Sequence, residues 1–211
     1  MIILIIGEKF ENKQLEDNFK KRKIEVKWFE SFEEIKTYLI SAIPVDATIG
    51  IGNSQTLKKM KILETFLAKG NTVFDKTIGK TPEEVKMLKK QALLTDYYIS
   101  SANAISVDGR IINIDHSGNR VAAMHYGPEK VFLIAGINKI EFIHEEAMNR
   151  AKNTAAPLNA KRAGMNPPCV KVGYCVDCLS PERVCNFISI IEGQHIEGRM
   201  TLLIANEKAG F

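Results

Sequence analysis

The chain has 211 residues, 45% of them hydrophobic, enough for one large domain or a domain with a small appendage. Formal charge is +4, from 29 basic and 25 acidic residues. The only basic clusters, KKRK at 20–23 and LKKMK at 57–61, are too sparse for a nucleic-acid stripe and predict solvated helix faces. The apolar start MIILIIGEKF lacks a basic n-region and a cleavage site, and no segment is long enough to span a bilayer. The expectation is a cytoplasmic protein that binds neither nucleic acid nor membrane.

The run 1–6 is rich in Ile and ends at Gly7, which predicts a buried strand. Leu15 to Lys21 has helical texture, and KIEVKWF alternates like a half-buried strand. Ser31 followed by Glu34 forms a capping box for a helix that Pro44 stops. ATIGI at 47–51 predicts a strand, and one helix follows from about Gln55 to Ala68, stopped by Gly70. Another strand is expected at 71–74. Thr81-Pro82-Glu83-Glu84 opens a helix to about Leu94, with a cap, a first-turn proline and acidic residues at the positive end.

Strands then dominate at 96–101, 109–115 and 130–135, followed by a helix over 140–153. From 153 to 184 the chain reads as irregular, rich in Pro, Gly and Cys, before a final hairpin of strands at 187–192 and 199–205. Strands alternating with helices predict a mostly parallel sheet covered on both faces, a three-layer αβα architecture. One domain over 1–211 is expected, with a cysteine-rich insertion at 160–186.

All four cysteines fall in that insertion. Cys169, Cys175, Cys178 and Cys185 are spaced C-x5-C-x2-C-x6-C. Thiols this dense in a reducing compartment point to a metal or cluster; two structural disulfides, or free thiols, are the bland alternative. Structural zinc sites usually pair two C-x2-C knuckles, and only one is present, which tilts the choice toward [4Fe-4S] with Zn²⁺ as the alternative. The segment has too few apolar residues to fold alone, so the centre would replace a core.

Three strand ends supply candidate anion contacts. Gly50, Gly52 and Ser54 lie in a strand-to-helix turn that brings backbone N–H groups to an anion, or simply closes tightly and binds nothing. Asn103 ends another strand and either offers its amide to a substrate or bonds its own turn. Gly118, Asn119 and Arg120 form a third turn. Asn119 would orient a carboxylate or phosphate and Arg120 would grip it bidentately, unless Arg120 serves a structural ion pair. His116 and His125 are the histidines of these loops; packing or surface roles suit them better than catalysis.

Several stretches together resemble the LUD (lactate-utilisation) domain family. They are YYISSANAIS at 97–106, the run 108–140 containing GNRVAA, NTAAPLNAKR at 153–162 and PPCVKVGYCVDCLSPERVCN at 167–186. IPVDATIGIGNSQTLKK at 43–59 is similar to the family's glycine-rich turn, with Asn53 where a glycine is common. The leading strand stands where an N-terminal helix is usual. The resemblance covers about residues 15–211 and is strongest to short clostridial-type members.

It implies a fold of the ribose-phosphate isomerase, CoA-transferase and 5-formyltetrahydrofolate cyclo-ligase type. Some members belong to a bacterial operon that oxidises L-lactate to pyruvate beside iron–sulfur proteins. Two functions follow as expectations. One is a redox-associated component of small hydroxy-acid metabolism, with a cluster, a small-anion pocket and an iron–sulfur partner protein. The other is a cyclo-ligase-like small-anion or nucleotide-binding enzyme with structural zinc. Whether the chain is an enzyme is left open, and a homodimer is compatible with either.

Overall fold

The computed structural model describes residues 2–5 and 8–211, with side chains from residue 11 onward. Met1, Ile6 and Gly7 of the expected first strand lie outside the described residues. β1 (Ile2–Ile5) and β2 (Glu8–Glu11) form an antiparallel pair. α1 (Asn12–Lys21) buries Leu15 and Phe19, one turn apart. β3 (Glu25–Phe29) leads to α2 (Phe32–Ala42), whose N-cap Ser31 accepts from Glu34 N at 3.2 Å. Glu34 reaches back to Glu30 N at 3.0 Å, so the capping box closes one residue early.

β4 (Thr48–Ile51) is followed by α3 (Gln55–Lys59) and α4 (Ile62–Lys69). One helix was expected here. Lys61 instead takes a left-handed conformation (φ 55°) and breaks it, which lets Leu57 and Ile62 both reach the core. Gly70 (φ 98°) ends α4 as expected. β5 (Thr72–Asp75) and α5 (Pro82–Gln91) follow, α5 capped by Thr81 with Pro82 in its first turn.

β6 (Tyr97–Ser101), β7 (Ala104–Ser106), β8 (Arg110–Asp115), α6 (Asn119–His125) and β9 (Lys130–Gly136) come next. The region expected as one helix at 140–153 is different. β10 (Ile140–Glu141) pairs with β7, α7 (His144–Arg150) follows, and a π-helical turn over 151–155 passes into α8 (Ala156–Arg162). Pro157 does not interrupt the helical run. It sits in the first turn of α8, where a missing N–H costs little. α9 (Pro168–Val172) is a short helix in the cysteine segment. β11 (Phe187–Ile191) and β12 (Met200–Ala205) complete the chain.

The main sheet has the order β3-β12-β9-β6-β4-β5, with every pairing parallel. A smaller sheet, β10-β7-β8-β11, carries antiparallel pairings on both sides of β8. The expected final hairpin does not form: β11 pairs with β8, while β12 inserts between β3 and β9. The apolar residues of both strands hid this split: β12 is buried throughout, whereas β11 lies at the edge of the smaller sheet with Phe187, Ile188 and Ile190 exposed.

Alternating residues of β9 point to opposite cores. Val131, Leu133 and Ala135 join Leu15 and Phe19 of α1 and Val121, Ala123 and Met124 of α6. Phe132 and Ile134 join Phe32, Ile35 and Leu39 of α2, Leu57 of α3 and Ile62 and Phe66 of α4. Helices therefore cover both faces, which is the αβα layering expected. A third cluster, with Ala104, Ile112, Ile114, Ala147, Ala151 and Ala156, packs α7 and the π turn on the smaller sheet, with Cys185 at its edge. Among the described residues no helix is long and apolar enough to cross a membrane.

Candidate functional site

A polar cavity of about 170 Å³ opens beyond the carboxyl ends of β4, β6 and β9. This is the position where open α/β sheets place ligands, because strand ends deliver loops there. The β4–α3 turn supplies Asn53, Ser54 and Thr56; the end of β6 supplies Ser101 and Asn103. Asp115 to Ser117, Asn119 and Arg120 form a second wall, and Asn159 and Arg162 of α8 a third. Ser54 ties two strand ends together. Its hydroxyl is 2.6 Å from Ser101 Oγ and accepts from Thr56 N at 3.1 Å.

Of the residues singled out in the sequence, Ser54, Asn103, Asn119 and Arg120 line this cavity. Gly50, Gly52 and Gly118 do not. Gly50 is needed for packing: a Cβ would come within 2.7 Å of Ala92 O and 2.8 Å of the Tyr98 ring. Gly52 donates its N–H to Ile99 O at 2.9 Å, so that donor is spent on the sheet. Gly118 (φ 81°) turns the chain into α6 against the Phe187 ring. The five residues of α3 also leave little helix dipole for the turn to exploit.

Arg120 is 9% exposed and its fork is committed inside the protein. Nη1 donates to Ser101 O and Asn113 Oδ1, each at 2.8 Å. Nη2 donates to Ile114 O at 2.8 Å and Asn103 Oδ1 at 3.1 Å, while Nε faces Asp115 Oδ1 at 3.8 Å. The arginine clamps β6 to β8 at the cavity wall. Asn103 serves the same clamp, accepting also from Ile114 N at 2.8 Å. Asn119 accepts from Ser117 Oγ at 2.7 Å.

The sequence reading missed four cations on the wall: Lys76, Lys89, Lys139 and Arg162. None forms an ion pair among the described residues. Lys89 Nζ donates to Ser117 Oγ at 3.2 Å, and Arg162 donates to Asn159 Oδ1 at 2.7 and 3.2 Å. Burial pushes the Lys76 ammonium below its ordinary value, helped by Lys89 and Arg162 and opposed by Asp115 and Asp75. Burial alone lowers Arg162. Among the described residues Asp115 is the only carboxylate side chain on the wall. One signal was legible: Lys139 is a lone charge inside the apolar run from Val131 to Ile140.

The four cysteines line a second cavity of about 50 Å³, together with Lys152, Pro167 and Arg183. All four are free thiols. α9 carries Cys169 and ends at Gly173 (φ 86°). Asn153 in the π turn accepts from Cys175 N at 2.8 Å, and Arg183 Nη2 donates to Cys185 O at 3.0 Å. Burial raises the Cys169 thiol, and the other three thiols raise it further, so the sulfurs feel one another. Among the described residues no group of three or more His, Cys, Asp or Glu side chains is placed to hold a metal ion. Ile114, Ala156 and Val184 line both cavities, so a single layer of side chains separates them.

His116 lines the polar cavity. His125 does not: its Nε2 is 2.6 Å from Ser189 Oγ, and burial followed by Arg199 lowers its pKa.

The fold is shared with a known structure. A DUF162 family protein from Deinococcus radiodurans superposes with a TM-score of 0.52 at 13% identity, over 92% of this chain and 93% of that one. Ribose 5-phosphate isomerase A from Methanocaldococcus jannaschii gives a TM-score of 0.41 at 13% identity, over 85% and 96%. No curated protein matches in sequence. The LUD domain model matches residues 12–205, and the chain belongs to that family. It is thus a protein of the lactate-utilisation type.

Proposed function

We propose that the protein is a redox-associated component of small hydroxy-acid metabolism, binding a small anion beside a four-cysteine iron–sulfur centre. The observation that carries this reading is the wall shared by the two cavities at Ile114, Ala156 and Val184. On one side stand Lys76, Lys89 and Arg162, which form no ion pair among the described residues. Unpaired cations around a polar cavity suit carboxylate or phosphate better than an apolar ligand. The role of charge carrier falls to these three, since the Arg120 fork is already used.

On the other side, Cys169, Cys175, Cys178 and Cys185 would hold a [4Fe-4S] cluster. A cluster takes each thiolate on a different iron, and the single C-x2-C knuckle in the spacing favours it over zinc. A zinc ion draws all four to about 2.3 Å from one point. When bound, a cluster supplies one-electron transfer. The chain's own part is to fix Cys175 through Asn153, to hold the anion, and to keep the two sites one side chain apart.

Metal and sulfide analysis of anaerobically purified protein tests the centre. Brown protein with iron and acid-labile sulfide supports it; colourless protein with stoichiometric zinc moves the function to the cyclo-ligase-like alternative.

A further inference from the structure

Lys139 ends the short 3₁₀ turn that follows β9, a central strand of the main sheet. The residue is 2% exposed yet lines the polar cavity. Its Nζ donates to Ala102 O at 2.9 Å and to Thr56 Oγ1 at 3.2 Å, both neutral acceptors. It forms no ion pair among the described residues. The charged groups it feels are Arg150 and Arg120, both cations. A lysine kept for packing would carry a counter-ion, because an unpaired buried charge is strongly destabilising. The amine is therefore held in an environment that favours its neutral form, and burial with those two arginines lowers its pKa to about 7.

The geometry around the nitrogen matches a nucleophile. Two donated N–H bonds and Cε occupy three tetrahedral directions, and in the neutral amine the fourth carries the lone pair. Gly210 (φ 67°) flanks it. A Cβ there would come within 2.6 Å of Thr56 Oγ1 and 3.2 Å of Lys139 Nζ. The glycine leaves that flank clear.

We propose that Lys139 is a nucleophilic lysine that forms an imine with a small aldehyde or ketone carrying a carboxylate or phosphate. The inference rests on the reading of the cavity as an anion site. Lys76, Lys89 and Arg162 would hold the anionic group. The Nζ lone pair attacks the carbonyl carbon, and the C–O π electrons move to oxygen. The proton lost from nitrogen passes to that oxygen, giving the carbinolamine. Departure of water then leaves the C=N bond, so amine and carbonyl become imine and water with no net oxidation. Desolvated lysines next to cations are the ones used this way.

The test is reductive trapping on the full chain. Pyruvate and glyoxylate serve as carboxylate probes and dihydroxyacetone phosphate as the phosphate probe, each with cyanoborohydride, followed by peptide mass spectrometry. The expected result is an adduct on Lys139 about tenfold or more above any surface lysine near pH 8, since surface amines are protonated there. The probe that labels best identifies the anionic group. Lys139→Arg should abolish the adduct, and Gly210→Ala should lower it while the melting curve stays cooperative. Trapping on the wild-type chain alone decides the matter if a variant misfolds. Calorimetry with phosphate and pyruvate separates the two readings. Binding without a Lys139 adduct overturns the nucleophile and leaves the anion site standing. Neither binding nor adduct overturns both, and labelling spread evenly over surface lysines overturns the nucleophile.

Discussion

Replacing Lys139 with methionine removes one buried amine and keeps a side chain of similar length. The folded pKa of about 7 lies below the ordinary 10.5, so between those values the unfolded chain holds a proton that the folded chain has released. Stability therefore rises with pH across that window, and the penalty of burying the charge is fully present below pH 7. At about 1.4 kcal/mol per pKa unit, the penalty has a ceiling of about 5 kcal/mol. Methionine also leaves Ala102 O and Thr56 Oγ1 without their donor, at about 1 kcal/mol or more each. The variant should thus be less stable than wild type near pH 10 and more stable near pH 6, by roughly 2 kcal/mol each way. Urea unfolding of both proteins across this range reads the difference, in which all other titrating groups cancel. Parallel pH profiles would refute the argument, because they would mean that Lys139 keeps the same proton in both states.

Arg120→Lys should destabilise the protein by about 2–4 kcal/mol, since a lysine cannot replace a fork that grips four oxygens; a melting temperature within experimental error of wild type would contradict the clamp. Lys76→Ala combined with Arg162→Ala should weaken phosphate binding by about tenfold or more while unfolding stays near wild type, because neither cation is ion-paired; calorimetry and melting curves check the two halves. Cys178→Ser should abolish iron uptake, and proteolysis should then cut first within 160–186 while the main sheet stays intact; global unfolding on losing the centre would be the contrary result.

The layering was legible because β4, β6 and β9 are short apolar runs ended by small residues, and because Ser31 and Thr81 announce their helices. The site was half legible. Strand-end turns led to Ser54, Asn103, Asn119 and Arg120, but sequence could not say that Arg120 faces four internal acceptors. Which donors are spent is decided by contacts between residues far apart in the chain. The cations at 76, 89 and 162 come from three separate elements and show no spacing, since they meet only when α5 and α8 close over the sheet. β11 and β12 read as a hairpin because both are apolar and consecutive in the chain, although β12 is buried inside the main sheet and β11 edges the smaller one.

In the proposed function the polar cavity and the cysteine cavity work as one site. Electron paramagnetic resonance of the anaerobically reduced protein, with and without saturating pyruvate or phosphate, tests it directly. The account predicts an iron–sulfur signal whose shape changes when anion fills the cavity across the Ile114–Ala156–Val184 wall. An iron–sulfur signal identical in both samples, or no such signal at all, would contradict it.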